Sequence, residues 1–446
     1  MQTSAVFAAV RARHQYVRFY VLGLILLVTA VNLGDRANLS IASSAMSKDL
    51  GIGSVAIGYV FSAFAWAYVL GQLPGGWLLD RFNSLKVYGA ALFLWSFFTF
   101  LQGFVGLLDA GAAVIALFIL RFVVGFMEAP IYPANTYIIA AWFPLRERGM
   151  AASIFSSAQY VAVVLFVPIM GMLSHALSWH WIFWFMGGLG MLLAVVWFAT
   201  MRAPTEHSKI TPQELAYLKE NGAMVDIEAN KRRKRSEATK APAGSLKLLL
   251  NNRMMAGVYI GQYCITALQY FFITWFPIYL VKGRGMDILA VGFVATIPAV
   301  CGFVGSILGG AISDMALRRG ASVTTARKIP FVSGMLLASF LVLCNFTDST
   351  YVIVALMSLA LFGKGLAQIG FAVVVDTSPP EIVGFAGGLF GVAGNIAGIV
   401  TPITIGYILH VTNSFTGAMY FVAAHALIAA LSYLFIVGKI QRLKFA

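Results

Sequence analysis

Long apolar segments recur along the whole chain and are separated by shorter polar ones. Each is close to the about 20 residues with which an α-helix crosses a bilayer, where every backbone polar group must be bonded within the segment. The pattern predicts an all-α integral membrane protein with twelve transmembrane helices. The twelve runs are 17–45, 55–79, 84–106, 111–139, 149–173, 179–200, 254–281, 289–313, 329–346, 350–376, 382–409 and 414–438.

The longest polar stretch divides these runs six and six. It covers 201–253 and contains the basic run Lys-Arg-Arg-Lys-Arg at 231–235. We therefore expect an N-terminal six-helix bundle at 1–200, a cytoplasmic basic linker at 201–253 and a C-terminal six-helix bundle at 254–446. The basic run either binds anionic lipid headgroups or is a solvated linker that fixes topology, and we favour the second interpretation.

The composition supports a membrane environment. Of 446 residues, 60% are hydrophobic and 11% are charged, whereas a soluble globular chain carries about 25% charged residues. A soluble enzyme and a disordered chain are therefore excluded. The three cysteines all lie inside apolar runs without metal-ligand spacing, and we expect them to be small buried side chains.

The basic residues predict the orientation. With both termini in the cytoplasm, the cytoplasmic loops and tails hold 25 of the 31 Lys and Arg, as the positive-inside rule requires. This asymmetry accounts for the net charge of +14 without a nucleic-acid partner. The first run follows Arg11, Arg13 and Arg18 as a signal sequence would, but it is long and lacks a clear cleavage site, so we expect it to be retained.

The two halves contain related motifs. Gly76-Trp-Leu-Leu-Asp80-Arg81 follows the second run, and Gly310-Ala-Ile-Ser-Asp314 follows the eighth at an offset of 234 residues. A second pair of motifs, beginning at Pro144 and Pro379, recurs at an offset of 235. The repeats indicate a duplicated six-helix unit. Two parallel repeats around a central cavity resemble the major facilitator plan.

The first of these motifs predicts a conformational latch. Gly76 would allow two helices to approach closely, and Asp80 would bond a helix N-terminus or a cation across the cytoplasmic seam. The motif resembles the major facilitator loop signature, except that Asn83 stands where that signature has Gly. We assign Gly76, Asp80, Arg81 and Asp314 to the latch, with a plain loop salt bridge as the alternative.

Five ionisable residues lie within the runs, where a charge costs several kcal/mol. When all are ionised, the two acids and three bases leave one net positive charge, which favours anion binding over a purely structural network. Burial also favours the protonated form of a carboxylic acid, so the acids are candidates for carrying protons. The five are Asp35, Arg36, Arg121, Glu128 and Lys364.

Further motifs resemble the anion:cation symporter family of the major facilitator superfamily, in particular its bacterial galactarate/glucarate permeases and next its D-galactonate transporters. They include Val31-Asn-Leu-Gly-Asp35-Arg36, Glu128-Ala-Pro-Ile-Tyr-Pro-Ala-Asn135, Trp275-Phe-Pro-Ile-Tyr-Leu280 and Phe362-Gly-Lys-Gly365. The resemblance covers nearly the whole chain. It implies proton-coupled import of a sugar acid by alternating access across the bacterial inner membrane.

The resemblance also implies roles for particular residues. Asp35 and Glu128 correspond to the acids that take up protons, and Arg121 corresponds to their basic partner. Arg36 corresponds to the arginine that meets the substrate carboxylate. Because Asp35 and Arg36 are adjacent and project about 100° apart on a helix, we expect Asp35 to turn towards Arg121. Residues that correspond to sugar-hydroxyl contacts are Tyr68, Gln159 and Gln262, with interfacial or interhelical roles as the alternative.

The tenth run bears on substrate size. Lys364, Gln368 and Phe371 are spaced to form one helix face. A lysine is typical here of the diacid permeases, so Arg36 and Lys364 would hold the two carboxylates of a six-carbon diacid. The alternative is a neutral lysine or a Lys364–Glu128 pair.

Two positions depart from the family pattern. Phe371 replaces a Trp, and Gly391 replaces an Asn, although Asn395 lies one turn further on. The candidate substrate-binding residues are therefore Arg36, Lys364, Tyr68, Gln159, Gln262, Gln368 and Asn395. The exact substrate stays open.

These observations favour a proton-coupled symporter for a sugar acid such as galactarate or glucarate. The alternatives are a transporter or exchanger of another organic anion (galactonate, a hexuronate, tartrate or an aromatic acid) and a membrane sensor that does not transport. No GxxxxGK[ST] phosphate loop occurs, so ATP-driven pumping is not expected. We expect no enzyme activity, cofactor or metal site, and a monomer whose partners are the anion, protons and the lipid bilayer.

Overall fold

The computed structural model describes residues 16–144, 147–226, 245–379 and 382–443. Within these ranges, twelve helices are long and apolar enough to cross a membrane, and the same ranges contain no β-strand. The predicted all-α membrane fold is confirmed. The basic run at 231–235 lies outside the described residues.

The twelve helices are numbered here as spans 1 to 12. Because their number is even, the first and last begin and end at one end of the bundle, called the terminus end; the other is called the opposite end. The spans are Val17–Leu50, Ser54–Arg81, Ser84–Leu107, Ala110–Trp142, Ala158–Ala176, His180–Thr200, Arg253–Gly283, Ile288–Arg318, Val323–Phe346, Thr350–Thr377, Phe385–Thr412 and Thr416–Ile436.

Polar residues between the apolar runs serve as helix caps. The Asn83 side chain accepts hydrogen bonds from the backbone N–H groups of Leu85 and Lys86 at the start of span 3. Asp109 caps span 4 in the same way, and Asp287 caps span 8. A side-chain acceptor satisfies N–H groups that the first helical turn leaves unbonded. The asparagine that departs from the family signature therefore has a local structural role.

Spans 4, 7 and 10 depart from regular α-helix at positions that matter for the site. Span 4 is interrupted between Ala110–Glu128 and Ile131–Trp142, and span 10 between Thr350–Leu366 and Gly370–Thr377. Span 7 contains two π-helical turns, Phe271–Trp275 and Tyr279–Gly283. Non-helical backbone at membrane depth is tolerated where protein or a cavity covers it. The interruptions place Glu128 and Lys364 at the ends of regular helix.

Glycines reveal the repeat in three dimensions. A Cβ on Gly71 would lie 2.9 Å from the Cβ of Ala129, and a Cβ on Gly75 would lie 3.1 Å from the backbone nitrogen of Pro130. At an offset of 234 residues, Gly305 and Gly309 pack against the backbone of span 10 in the same manner. The second helix of each unit thus packs closely on the fourth.

The two halves approach each other most tightly towards the opposite end. A Cβ on Gly58 of span 2 would lie 2.7 Å from the carbonyl oxygen of Pro402, and one on Gly406 would lie 2.7 Å from that of Ser54. Spans 5 and 8 approach at Gly171 and Gly292, where a Cβ on Gly171 would lie 3.2 Å from the Gly292 Cα. These contacts close the opposite end.

The first part of the linker packs on the N-terminal half. Its helix, Pro212–Glu220, contributes Tyr217, whose hydroxyl donates to Glu147 at 2.7 Å. Glu147 also pairs with Arg18 at 3.3 Å, and Arg18 is 2% exposed. The backbone N–H of Arg18 donates to Glu214 of the linker helix at 3.3 Å. This part of the linker is therefore docked rather than free in solvent.

Candidate functional site

The two adjacent ionisable residues of span 1 diverge. Asp35 is fully buried, and its Oδ2 accepts a hydrogen bond from the indole N–H of Trp95 in span 3 at 2.9 Å. Arg36 turns the other way, and its Nη2 lies 3.1 Å from Glu128 Oε2 in span 4. The predicted divergence is observed. The expectation that the Asp35 carboxylate turns to Arg121 is wrong: the carboxylate bonds the indole of Trp95, and Arg121 donates to the backbone carbonyl of Asp35 instead.

Arg121 instead binds the backbone of span 1. Its Nη1 donates to the carbonyl oxygen of Asp35 at 3.1 Å and to Asn38 Oδ1 at 3.3 Å, and its Nη2 donates to the carbonyl of Arg36 at 3.4 Å. The guanidinium therefore fixes span 1 against span 4.

Aromatic rings frame the Arg36–Glu128 pair. The guanidinium carbon of Arg36 lies 4.8 Å from the ring centroid of Phe64 and 5.3 Å from that of Tyr68. The Arg36 side chain is 26% exposed, while that of Glu128 is 1% exposed. Stacking on aromatic faces suits the flat guanidinium. The arginine therefore presents an edge to open space while its acid partner stays buried.

That open space is a cavity of about 140 Å³ between the halves. Arg36 and Gln159 reach it from the N-terminal half, and Gln269 and Lys364 reach it from the C-terminal half. We call it the central cavity. Its walls combine two basic side chains with amides and apolar rings, which is the composition of a site for a small polar anion.

Lys364 has a neutral partner. Its ammonium donates to Gln269 Oε1 at 2.5 Å, and the residue is 7% exposed. No described acidic side chain lies within ion-pair distance of Lys364. The alternative of a Lys364–Glu128 pair is therefore wrong, because Glu128 pairs with Arg36. Asp35, Arg36, Arg121 and Glu128 balance among themselves. With all five groups ionised, the surplus positive charge is therefore that of Lys364, and the alternative of a neutral lysine stays open.

Lys364 also lines a second cavity of about 220 Å³, called the side cavity. Gln262, Gln368 and Phe371 line it with Lys364. The predicted face of span 10 is thus observed, although the helix is interrupted between Leu366 and Gly370. Asn395 lines neither cavity; its side-chain amide donates to the carbonyl of Gly391 in its own helix at 2.9 Å.

Sequence reasoning missed two lining residues. Gln269 follows Gln262 by seven residues and Thr266 by three, so the spacing predicts one polar face of span 7. Tyr160, next to Gln159, donates weakly across the halves to Gln368 at 3.5 Å. Nothing in the sequence distinguishes this tyrosine from an interfacial one.

The predicted latch residues are only partly brought together. Arg327 lies 3.9 Å from Asp314 and 2.8 Å from Asp376, so the second half has an ion-pair network at this position. Asp80 is exposed, and Arg81 lies over the Trp77 ring. The expected close helix approach at Gly76 is wrong: no described atom would lie within 4 Å of its Cβ. Gly75 instead faces span 4.

Several known bacterial transporters are similar to this chain over nearly its whole length. The chain is 54% identical over 426 residues to the probable galactarate/D-glucarate transporter of Bacillus subtilis (strain 168), covering 96% of this chain and 93% of the relative. It is 53% identical to the probable galactarate/D-glucarate transporter of Escherichia coli (strain K12), with 96% and 95% covered. It is 37% identical to the D-galactonate transporter of Escherichia coli O6:H1, with 95% and 96% covered.

Solved structures share the fold. A bacterial homologue of the human lysosomal transporter Spinster superposes with a TM-score of 0.72 at 16% identity, covering 94% of this chain and 96% of that one. A D-xylose-proton symporter gives a TM-score of 0.67 at 16% identity, with 95% and 98% covered. The sequence profile of the Major Facilitator Superfamily matches residues 25–326. This chain therefore belongs to the Major Facilitator Superfamily.

Proposed function

We propose that this protein is a proton-coupled symporter that imports a sugar acid, namely a six-carbon diacid such as galactarate or glucarate. The observation that carries the proposal is the surplus cation: Lys364 is buried at the central cavity and its hydrogen-bond partner there is the neutral Gln269. A buried charge without a counter-charge is unfavourable. An anionic substrate would supply the missing negative charge.

The cavity offers a second cation for a second carboxylate. Arg36 comes from the N-terminal half and Lys364 from the C-terminal half, and both line the central cavity. A diacid held between them would draw the two halves together. The sequence relatives named for galactarate and D-glucarate transport support this substrate class.

Proton coupling follows from the pairing of Arg36. Its guanidinium bonds the Glu128 carboxylate through Nε at 3.3 Å and Nη2 at 3.1 Å. When Glu128 takes up a proton, its charge is lost and Arg36 becomes available to a substrate carboxylate. Release of the substrate allows Glu128 to lose the proton and to pair with Arg36 again. Substrate and proton are thereby bound together.

Alternating access is supported by the arrangement of the halves. Glycine contacts close the opposite end, and in our proposal the terminus end faces the cytoplasm of a bacterial inner membrane, as the basic residues indicate. The structure then corresponds to a state closed towards the outside. The protein moves the substrate by rearrangement of the two six-helix units around the central cavity.

The test is uptake of galactarate by proteoliposomes under an imposed inward proton gradient. We expect accumulation that a protonophore abolishes. Lys364→Gln should raise the apparent KM for the diacid by about tenfold or more, because a buried charge-assisted contact is lost, and should affect galactonate much less. Lys328→Gln serves as the matched control, because Lys328 is a partly exposed lysine of span 9 that lines neither the central nor the side cavity. Equal effects on the diacid and the monoacid would overturn the diacid assignment.

A further inference from the structure

A further cavity, larger than the central and side cavities, lies between the halves at the opposite end, and its volume is about 600 Å³. We call it the outer cavity. Its size is within the range of small-molecule sites, roughly 300–1,000 Å³. Besides charged groups, it is lined by the polar side chains of Ser47, Ser54, Asn345, Asn413, Ser414 and Thr416.

One cation in the lining is already neutralised. Arg284 pairs with Asp348 at 3.0 Å and donates to the hydroxyl of Tyr279 at 2.9 Å and to the carbonyl of Cys344 at 2.5 Å. These three contacts fix the guanidinium in the wall. Arg284 and Asp348 therefore contribute no net charge to the cavity.

The other cation is unpaired. Lys282 lies in the π-helical turn Tyr279–Gly283 and lines the outer cavity. Among the described residues, no acid or hydrogen-bond acceptor contacts its ammonium group. The outer cavity thus carries one net positive charge beside hydroxyl and amide groups, the combination that a polyhydroxylated carboxylate requires.

One segment of span 7 lies between the outer cavity and the central cavity and lines both. Trp275 and Ile278 line the outer cavity, whereas Phe276 and Pro277, between them in sequence, line the central one. The segment is held by contacts across the halves: Trp275 packs on Phe61 with ring centroids 5.5 Å apart. A π-helical turn lies on each side of it. Movement of this segment would join the two cavities.

We propose that the outer cavity is a capture site, in which Lys282 binds a carboxylate of the incoming sugar acid before the span-7 segment moves and admits it to the central cavity. This inference rests on the proposed function for its substrate and direction. It assigns a binding role to a residue that lies outside the central cavity and takes no part in proton transfer.

The test compares galactarate uptake by Lys282→Gln and the parent protein at low and high ionic strength. We expect the apparent KM of the variant to rise about two- to fivefold at low salt, the effect of one exposed charge contact, with unchanged maximal rate. At about 1 M salt, where screening acts within about 3 Å, the difference should disappear. Lys48→Gln is the control, because Lys48 lies at the same end but does not line the cavity.

A second variant restores the charge chemically. In protein whose three native cysteines are replaced by alanine, Lys282→Cys should regain the parent KM after a cationic thiosulfonate reagent and should weaken further after an anionic one. A KM that does not respond to either reagent, or a defect that high salt does not relieve, would overturn the capture site. Absence of any galactarate uptake by the parent protein would instead overturn the proposed function.

Discussion

At the scale of single residues, the proposed site depends on one exchange of partners. Glu128 is buried and pairs with the partly exposed Arg36. Arg36 lines the central cavity, whereas Glu128 does not. The carboxylate of Glu128 and a substrate carboxylate compete for the same guanidinium. In the proposed mechanism, protonation of Glu128 decides that competition, because a neutral acid binds the guanidinium less strongly than an ionised one.

Replacement of Glu128 tests the exchange directly. Glu128→Gln removes the titrating group but leaves an amide oxygen that Arg36 can contact, so Arg36 stays available to the substrate. We expect the variant to exchange labelled for unlabelled galactarate while failing to concentrate it under a proton gradient. Glu206→Gln, an exposed linker position, is the control. Full concentrative uptake by Glu128→Gln would remove this acid from the coupling mechanism.

Arg36 needs its planar group. It contacts Glu128 through two nitrogens and lies over the rings of Phe64 and Tyr68. In Arg36→Lys, a point charge replaces the flat two-pronged donor, and we expect galactarate affinity to fall about tenfold or more. Binding is measured by calorimetry with purified protein, with Arg253→Lys as the exposed control. Affinity within twofold of the parent would contradict the carboxylate role.

The sequence predicted the candidate residues that meet in the structure better than it predicted their partners. The cost of a charge at membrane depth was enough to select Asp35, Glu128 and Lys364. The partner of each depends on side-chain directions across different helices, which spacing within one helix does not determine. Trp95 and Gln269 were therefore not assigned to Asp35 and Lys364.

At the scale of helices, the hydrophobic pattern predicted the spans but not their interruptions. The predicted run 350–376 corresponds to one span that is broken at residues 367–369. A broken helix and a regular one bury similar apolar side chains, so the pattern is the same for both. The expectation of a solvated linker concerned the basic run at 231–235, which lies outside the described residues. Closer to the N-terminal half, the linker helix has a buried acid, Glu214, that accepts from the start of span 1.

The docked linker predicts a measurable stability effect. Glu147 accepts from Tyr217 and pairs with Arg18, which is almost fully buried. Glu147→Gln weakens the interaction with a buried cation, and we expect a loss of about 1–3 kcal/mol and a lower thermal unfolding temperature in detergent. Glu220→Gln, at the exposed end of the linker helix, should have no effect. An equal change in both variants would show that the docking contributes nothing.

At the scale of the whole molecule, the glycine contacts form two groups, one within each half and one between the halves. Gly71, Gly75, Gly305 and Gly309 bind helices together within each half, so each six-helix unit can move as a body. Gly58 and Gly406 lie between the halves and hold the opposite end closed. Packed interfaces favour discrete arrangements over gradual deformation. The contacts between halves are therefore the ones expected to separate when the opposite end opens.

Addition of one methyl group at Gly58 tests this view. A Cβ at this position would lie 2.7 Å from the carbonyl oxygen of Pro402. That contact is a steric clash, and the backbones of the two helices must move apart to remove it. Gly58→Ala should therefore shift the population towards a state open at the opposite end; each 1.4 kcal/mol of strain changes the ratio about tenfold. Spin labels at positions 48 and 411, in protein without native cysteines, should report longer distances. Gly188→Ala, whose Cβ would meet no described atom within 4 Å, should match the parent, and an unchanged distance in Gly58→Ala would contradict closure by these glycines.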